Sequence, residues 1–130
     1  EAKRNEWLAS ETCTVKAVID YIVKTGQMRD AQVEAIKTYL FLKIACGCKP
    51  LAELFCEGAF NTLDLDDLEV SHSTREYLKV NKAAAALFEY ACLTNDAGEQ
   101  VSPKLEQQIR KEPESIDCHA FFHKAGSECP

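Results

Sequence analysis

Apolar residues recur at three- and four-residue steps along nearly the whole chain, and this period restricts the fold more than any single motif. Val15, Val18, Ile19 and Ile22 fall on one stripe, which predicts a helix over roughly residues 7–24 with that stripe buried. Gly26 follows as a left-handed stop. Asp30 is the expected N-cap of a second helix, whose inner face carries Val33, Ile36, Leu40 and Ile44. Cys46-Gly47-Cys48-Lys49-Pro50 breaks that helix. Pro50 then suits the first turn of a short third one carrying Leu51, Leu54 and Phe55, which Gly58 ends.

The middle of the chain is less regular. Leu63, Leu65 and Leu68 alternate with Asp64, Asp66, Asp67 and Glu69. Asp is a poor strand former, so this stretch reads as an irregular loop with its leucines tucked in. Ser73-Thr74-Arg75-Glu76 has the spacing of a capping box and predicts a helix start. Asn81 caps an alanine-rich helix from Lys82 to about Leu93, whose four consecutive alanines combine high helix propensity with room for a close neighbour. Ser102-Pro103 opens another helix that Pro113 closes, and Ser115 to Asp117 cap a last one running into Phe121 and Phe122. The expectation is an all-α, single-domain bundle of six or seven helices spanning residues 1–130. The start without Met and the stop soon after Phe121-Phe122 read as the ends of a fragment of a longer chain.

Composition narrows the function classes. With 15 basic and 21 acidic residues the net charge is −6. An acidic chain with no basic run is a poor free-standing binder of phosphate backbones. No apolar stretch approaches the ~20 residues of a membrane span; the best, Tyr39 to Leu42, is cut short by Lys43. Seven cysteines are an odd number for a secreted disulfide framework. Cys13, Cys56 and Cys92 lie inside helical apolar patterns where a free thiol acts as a small hydrophobe. Reduced thiols in a cytoplasmic protein are therefore the expectation.

Chemical motifs are sparse. A calcium loop counted from Asp64 would put Leu68 at position five, Glu69 where glycine is needed at six, and Arg75 where glutamate is needed at twelve. His119 and His123 share a helix face, but no glutamate follows His119 to complete a zinc-protease motif, and Cys46 and Cys48 are spaced too closely for a zinc pair. No metal ligand is assigned. The chain contains neither G-x-x-x-x-G-K-[ST], G-x-G-x-x-G nor G-x-S-x-G. It holds no complete active site and assigns no catalytic residue.

One segment carries a resemblance. Met28-Arg29-Asp30-Ala31-Gln32-Val33-Glu34-Ala35-Ile36 is similar to the L-R-x-x-Q-x-E-A-I element, the Q motif, that opens the motor of superfamily-two helicases of the DEAD/DEAH and type III restriction kind. Glu34 to Leu40, Lys49-Pro50-Leu51, Ser102 to Glu106 and Pro113 to Asp117 look like the helical region that precedes the phosphate loop in such proteins. The resemblance implies that Gln32 reads the adenine of ATP, with Arg29 as its flanking basic residue. A glutamine amide has the donor and acceptor that match the adenine N6–H and N7 edge. It further implies Mg²⁺ bound with the ATP, the remainder of the motor as partner, and nucleic acid engaged only through the full-length protein. The chain departs from the family pattern in having no phosphate loop, acidic Mg²⁺ box or arginine finger, so it would not hydrolyse ATP alone. An alternative from another class is a self-contained helical binding module, secreted and disulfide-linked, that holds a small apolar ligand or a protein partner.

Overall fold

The structure, a computed structural model, describes residues 1–128. Eight α-helices form among them: α1 Ala2–Ala9, α2 Lys16–Thr25, α3 Asp30–Leu40, α4 Leu51–Cys56, α5 His72–Val80, α6 Lys82–Ala91, α7 Pro103–Lys111 and α8 Cys118–Glu128. A π-helical segment, Phe41–Ala45, extends α3, and a 3₁₀ turn, Pro113–Ser115, precedes α8. Apart from one isolated bridge between Thr94 and Gln100, no β-structure occurs among the described residues. The fold is all-α, with eight helices where the periodicity predicts six or seven. Contacts divide it into two compact units, Glu1–Lys49 and Pro50–Pro130.

In the first unit the helix predicted over 7–24 is two helices. Ser10 ends α1 because its hydroxyl and its backbone N–H both donate to the Trp7 carbonyl, the hydroxyl at 2.7 Å. A serine that satisfies the helix end in this way competes with continuation of the helix. The apolar stripes expected for the first two predicted helices are also narrower than their patterns, and no residue of α3 is fully buried. Ile19 is buried, whereas Val18 is 55% exposed and Ile44 41% exposed. Trp7, Cys13, Ile19 and Phe41 make the small core, with the Trp7 and Phe41 rings 5.9 Å apart.

Beside that core lies a buried cation. Arg4 is 7% exposed, and its guanidinium donates to Glu34 Oε2 at 2.6 Å, to Thr38 Oγ1 at 2.9 Å and to Asn5 Oδ1. The network ties α1 to α3. A buried charge is tolerable only when its donors are satisfied in this manner. Hydrogen bonds from Lys37 and then Arg4 hold the Glu34 carboxyl below the usual glutamate range.

The second unit is built around α6. Ala83, Ala84, Ala85, Ala86, Leu87, Phe88 and Ala91 are all buried, and α4, α5, α7 and α8 pack on this helix. Asn81 Oδ1 accepts from the Ala84 N–H at 3.1 Å, the cap that the sequence predicts. The α5 cap is Ser71 rather than Ser73, since Ser71 Oγ accepts from the Thr74 N–H. Leu63, Leu65 and Leu68 of the acidic loop pack on the core, as expected. Arg75 donates to the Leu68 carbonyl at 2.6 Å, Lys79 pairs with Asp66 at 2.8 Å, and Arg110 reaches the Glu69 carbonyl. Arg110 also lies 5.3 Å from the Phe88 ring centroid and chelates Glu106 Oε1 through Nε at 3.0 Å and NH2 at 2.9 Å. Gln100, whose amide donates to Glu106, and then Arg110 hold that carboxyl below the usual glutamate range.

Two outcomes follow from this packing. Ala84 is 1% exposed in the core of the second unit, so Ala84→Leu should overpack the unit and destabilise it by about 1–3 kcal/mol in urea unfolding. Glu34 and Glu106 have folded pKa values below their unfolded value of about 4.3, so their stabilisation is complete above that pH and is lost as pH falls through each folded value. The urea midpoint should therefore decline below about pH 4.3, and Glu106→Gln should make that decline shallower.

Candidate functional site

Two places in the described structure bring chemically useful groups together, one in each unit. The first is the start of α3. Arg29 has extended backbone, φ −70° and ψ 152°, and is the N-cap; Asp30 is the first helical residue. The expectation that Asp30 caps this helix is therefore corrected. The carboxamide of Gln32 replaces it, its Oε1 accepting the Arg29 backbone N–H at 2.9 Å. This is the N3-to-N-cap half of a capping box, a role that glutamine fills well because its side chain reaches back one turn. Gln32 and Arg29 are both exposed.

The arrangement has a chemical consequence. One lone pair of the Gln32 oxygen is engaged by this bond. An amide oxygen has two lone pairs and its nitrogen two donors. The group therefore retains the acceptor and donor needed to meet the N6–H and N7 edge of adenine. The two cavities described next do not include it. Any base held here would need its other wall from a separate surface.

The second place is an apolar groove of about 220 Å³ in the second unit. Its floor and walls are Leu51, Ala52 and Phe55 of α4, Tyr90 of α6, and Phe121, Phe122 and Ala125 of α8. Phe55 stacks on Phe122 with centroids 5.2 Å apart and an interplanar angle of 8°, and meets Phe60 edge-on at 5.1 Å. Tyr90 and Phe121 are 5.6 Å apart. Leu51 is 53% exposed and Tyr90 38% exposed, so this aromatic surface is open to solvent. The volume lies below the ~300–1,000 Å³ of sites for drug-sized molecules, and fits one ring or one branched aliphatic group.

The sequence flags part of this groove: Phe121-Phe122 and Phe55 each lie on an expected apolar face. Tyr90 carries no such signal, because it sits just beyond the buried stripe of α6. Its part in the groove comes from the α4 and α8 packing.

A separate cavity of about 350 Å³ is bordered by Pro50, Glu53, Cys56, Glu57, His119 and His123. The two histidines do share one side of α8, as their spacing predicts. Among the described residues, however, no group of three or more His, Cys, Asp or Glu is placed to hold a metal ion. Of the cysteines, Cys13 and Cys118 are buried, Cys46, Cys56 and Cys92 half-buried, and Cys48 exposed; all six are free thiols. Cys129 lies outside the described residues. Burial pushes the thiols of Cys46, Cys56, Cys92 and Cys118 above their usual range. A raised thiol pKa lowers the fraction of each present as the reactive thiolate. No helix among the described residues is long and apolar enough to cross a membrane.

Comparison of the chain with protein-family models, with curated proteins and with solved structures finds no match of any of the three kinds.

Proposed function

We propose that this chain is the N-terminal helical part of an ATP-dependent nucleic-acid motor of the restriction-helicase kind, with Gln32 reading the adenine of ATP and Arg29 beside it. The observation that supports this reading is the tethered carboxamide at the start of α3, within the Met28 to Ile36 sequence. Its oxygen is held at 2.9 Å by the Arg29 N–H, so the amide is oriented before any base arrives. Preorganisation of this type reduces the ordering cost of binding. The base is this chain's whole share of the nucleotide. With no phosphate-cradling loop in residues 1–130, the phosphates, Mg²⁺ and hydrolysis belong to the remainder of the motor. Nucleic acid is likewise a partner of the full-length protein, in keeping with the −6 charge here.

The cap bond and the adenine contact can be separated. Glutamate also serves at the third position of a capping box, so Gln32→Glu keeps the acceptor toward Arg29 while removing the NH₂ donor. In the full-length protein this substitution should weaken ATP binding about tenfold or more, the ~1.4 kcal/mol equivalent of one lost polar contact, and leave the thermal midpoint essentially unchanged. Equal ATP affinity for the two proteins would remove Gln32 from the nucleotide site. A G-x-x-x-x-G-K-[ST] sequence encoded downstream of Pro130 is the companion expectation.

The aromatic groove favours a second reading, a helical module that holds one apolar group of a ligand or partner between α4 and α8. Single-ring probes such as toluene or indole should then perturb amide signals of Phe55, Tyr90 and Phe122 in nuclear magnetic resonance titrations. Phe55→Ser should abolish the perturbation, because it removes the ring that stacks on Phe122 at 5.2 Å. Perturbations spread evenly over the surface would count against a binding groove.

A further inference from the structure

The sequence Cys46-Gly47-Cys48 is explained neither by the adenine reading nor by the groove. The π-helical segment sets it up. The Cys46 N–H donates to the Phe41 carbonyl five residues back, at 3.1 Å, and the Cys48 N–H to the Leu42 carbonyl at 3.1 Å. Such widened turns are rare and recur at functional positions. The chain then reverses: Gly47 has φ 65° and Cys48 φ 60°, and the Lys49 N–H donates to the Cys46 carbonyl at 3.4 Å. Two successive positive φ angles closed by that bond make a mirror-image β-turn.

Glycine takes the first of these positions without strain. Cysteine does not: Cys48 is the one non-glycine residue with positive φ among the described residues. A β-carbon in the left-handed region costs roughly 1–2 kcal/mol, and residues kept in such conformations cluster at functional sites. The two thiols differ in access. Cys48 is exposed, and its Sγ donates to the Lys43 carbonyl at 3.5 Å; Cys46 is half-buried. Two residues apart, their Cα atoms cannot be more than ~7 Å from each other even in extended chain, and the turn brings them closer. Disulfides form at Cα separations of ~4.4–6.8 Å.

We propose that Cys46-Gly47-Cys48 is a thiol–disulfide exchange site, with Cys48 as the attacking thiol and Cys46 as the resolving one. The reaction partner is a small-molecule disulfide of the glutathione class. Cys48, as its thiolate, attacks one glutathione sulfur; the glutathione S–S bond breaks, a mixed disulfide forms on Cys48, and one glutathione leaves, taking up the proton that Cys48 lost. Cys46, as its thiolate, then attacks Cys48 Sγ, and the second glutathione leaves with the Cys46 proton. Two protein thiols are oxidised to one disulfide, and one glutathione disulfide is reduced to two thiols. Exposure sets the order of the steps, since Cys48 is the more accessible of the two sulfurs to an incoming disulfide.

The test is incubation of the 130-residue chain with glutathione disulfide, followed by thiol labelling and cleavage after glutamate. That cleavage releases residues 35–53, which contain Cys46 and Cys48 and no other cysteine. In the wild type this peptide should lose two hydrogens, take up no label and carry no glutathione, while Cys56 and Cys92 are oxidised about tenfold more slowly or not at all. Cys46→Ser should accumulate one glutathione on Cys48, and Cys48→Ser should leave Cys46 as a free thiol. Stable glutathione on the wild-type peptide, oxidation of all half-buried thiols at one rate, or faster modification of Cys46 than of Cys48 would each overturn the assignment. The wild-type peptide decides the matter even where a serine variant does not fold.

Discussion

Close approach to the alanine face of α6 is the constraint on which the second unit depends. Four consecutive alanines carry no side-chain entropy to lose and leave no bulk to hold a neighbour away. The helices α4, α5, α7 and α8 therefore all pack on ten residues of one helix. Leu87 and Phe88, both 0% exposed, fill what the alanines leave open. An axis this narrow cannot cover large rings at the edges of the helices around it. Phe55 on α4 stacks on Phe122, while Phe121 on α8 is half-buried against the core and tilts against Tyr90 at the groove. The open groove is in that sense a by-product of the tight centre, and its aromatic content follows from which residues α4 and α8 place along their shared edge.

The acidic loop of the same unit is held by contacts within that unit. Asp64 to Glu69 has the look of a cation site but is held by the protein's own cations. Lys79 pairs with the Asp66 carboxylate, while Arg75 and Arg110 take the backbone carbonyls of Leu68 and Glu69. Two of the three contacts go to backbone rather than to carboxylate, so the loop is fixed by its path more than by its charge. That path in turn seats Leu63, Leu65 and Leu68 on the core. Arg110 does the most here: it stands over Phe88, chelates Glu106 and reaches Glu69, so α6, α7 and the loop share one guanidinium. An arginine fork suits this task because its donors are fixed in a plane, which a lysine could not reproduce.

Much of this was legible in the sequence wherever local chemistry agreed with tertiary packing. Asn81 Oδ1 and the Asp117 carboxylate accept backbone N–H groups at the starts of α6 and α8, and Pro103 suits the first turn of α7 because it has no N–H to satisfy, each without help from distant residues. The misreadings came where two local solutions compete. Asp30 and Arg29 are both plausible cap positions, and the reach of the Gln32 side chain decides between them. Ser71 and Ser73 compete in the same way, and Thr74 selects Ser71 by donating its hydroxyl onward to the Arg110 carbonyl at 3.0 Å, a contact across 36 residues. The split between α1 and α2 was hidden because Ser10 and Thr12 interrupt no apolar period. The groove was half legible: its rings are visible as apolar positions, but their convergence belongs to packing. The sequence places Gln32 at the start of α3, and its capping bond to the Arg29 N–H, in place of a cap by Asp30, is what the structure adds.

The placement of Gln32 rests on the buried guanidinium of Arg4. The first unit is 49 residues long, near the size at which a hydrophobic core alone is marginal, and its buried apolar side chains are few. Arg4 contributes by a different route. It holds Glu34 and Thr38 from α1, on successive turns of α3, so it sets both the position of that helix and its rotation about its own axis. Gln32 lies two residues before Glu34, within the same first turns. A shift of α3 about its axis would carry the carboxamide with it while leaving the cap bond to Arg29 intact, because that bond is internal to the helix start. The cap therefore orients the amide relative to α3, and Arg4 orients α3 relative to the rest of its unit. Reading a base requires both, which makes a buried arginine with no nucleotide contact of its own a positioning residue for the proposed site.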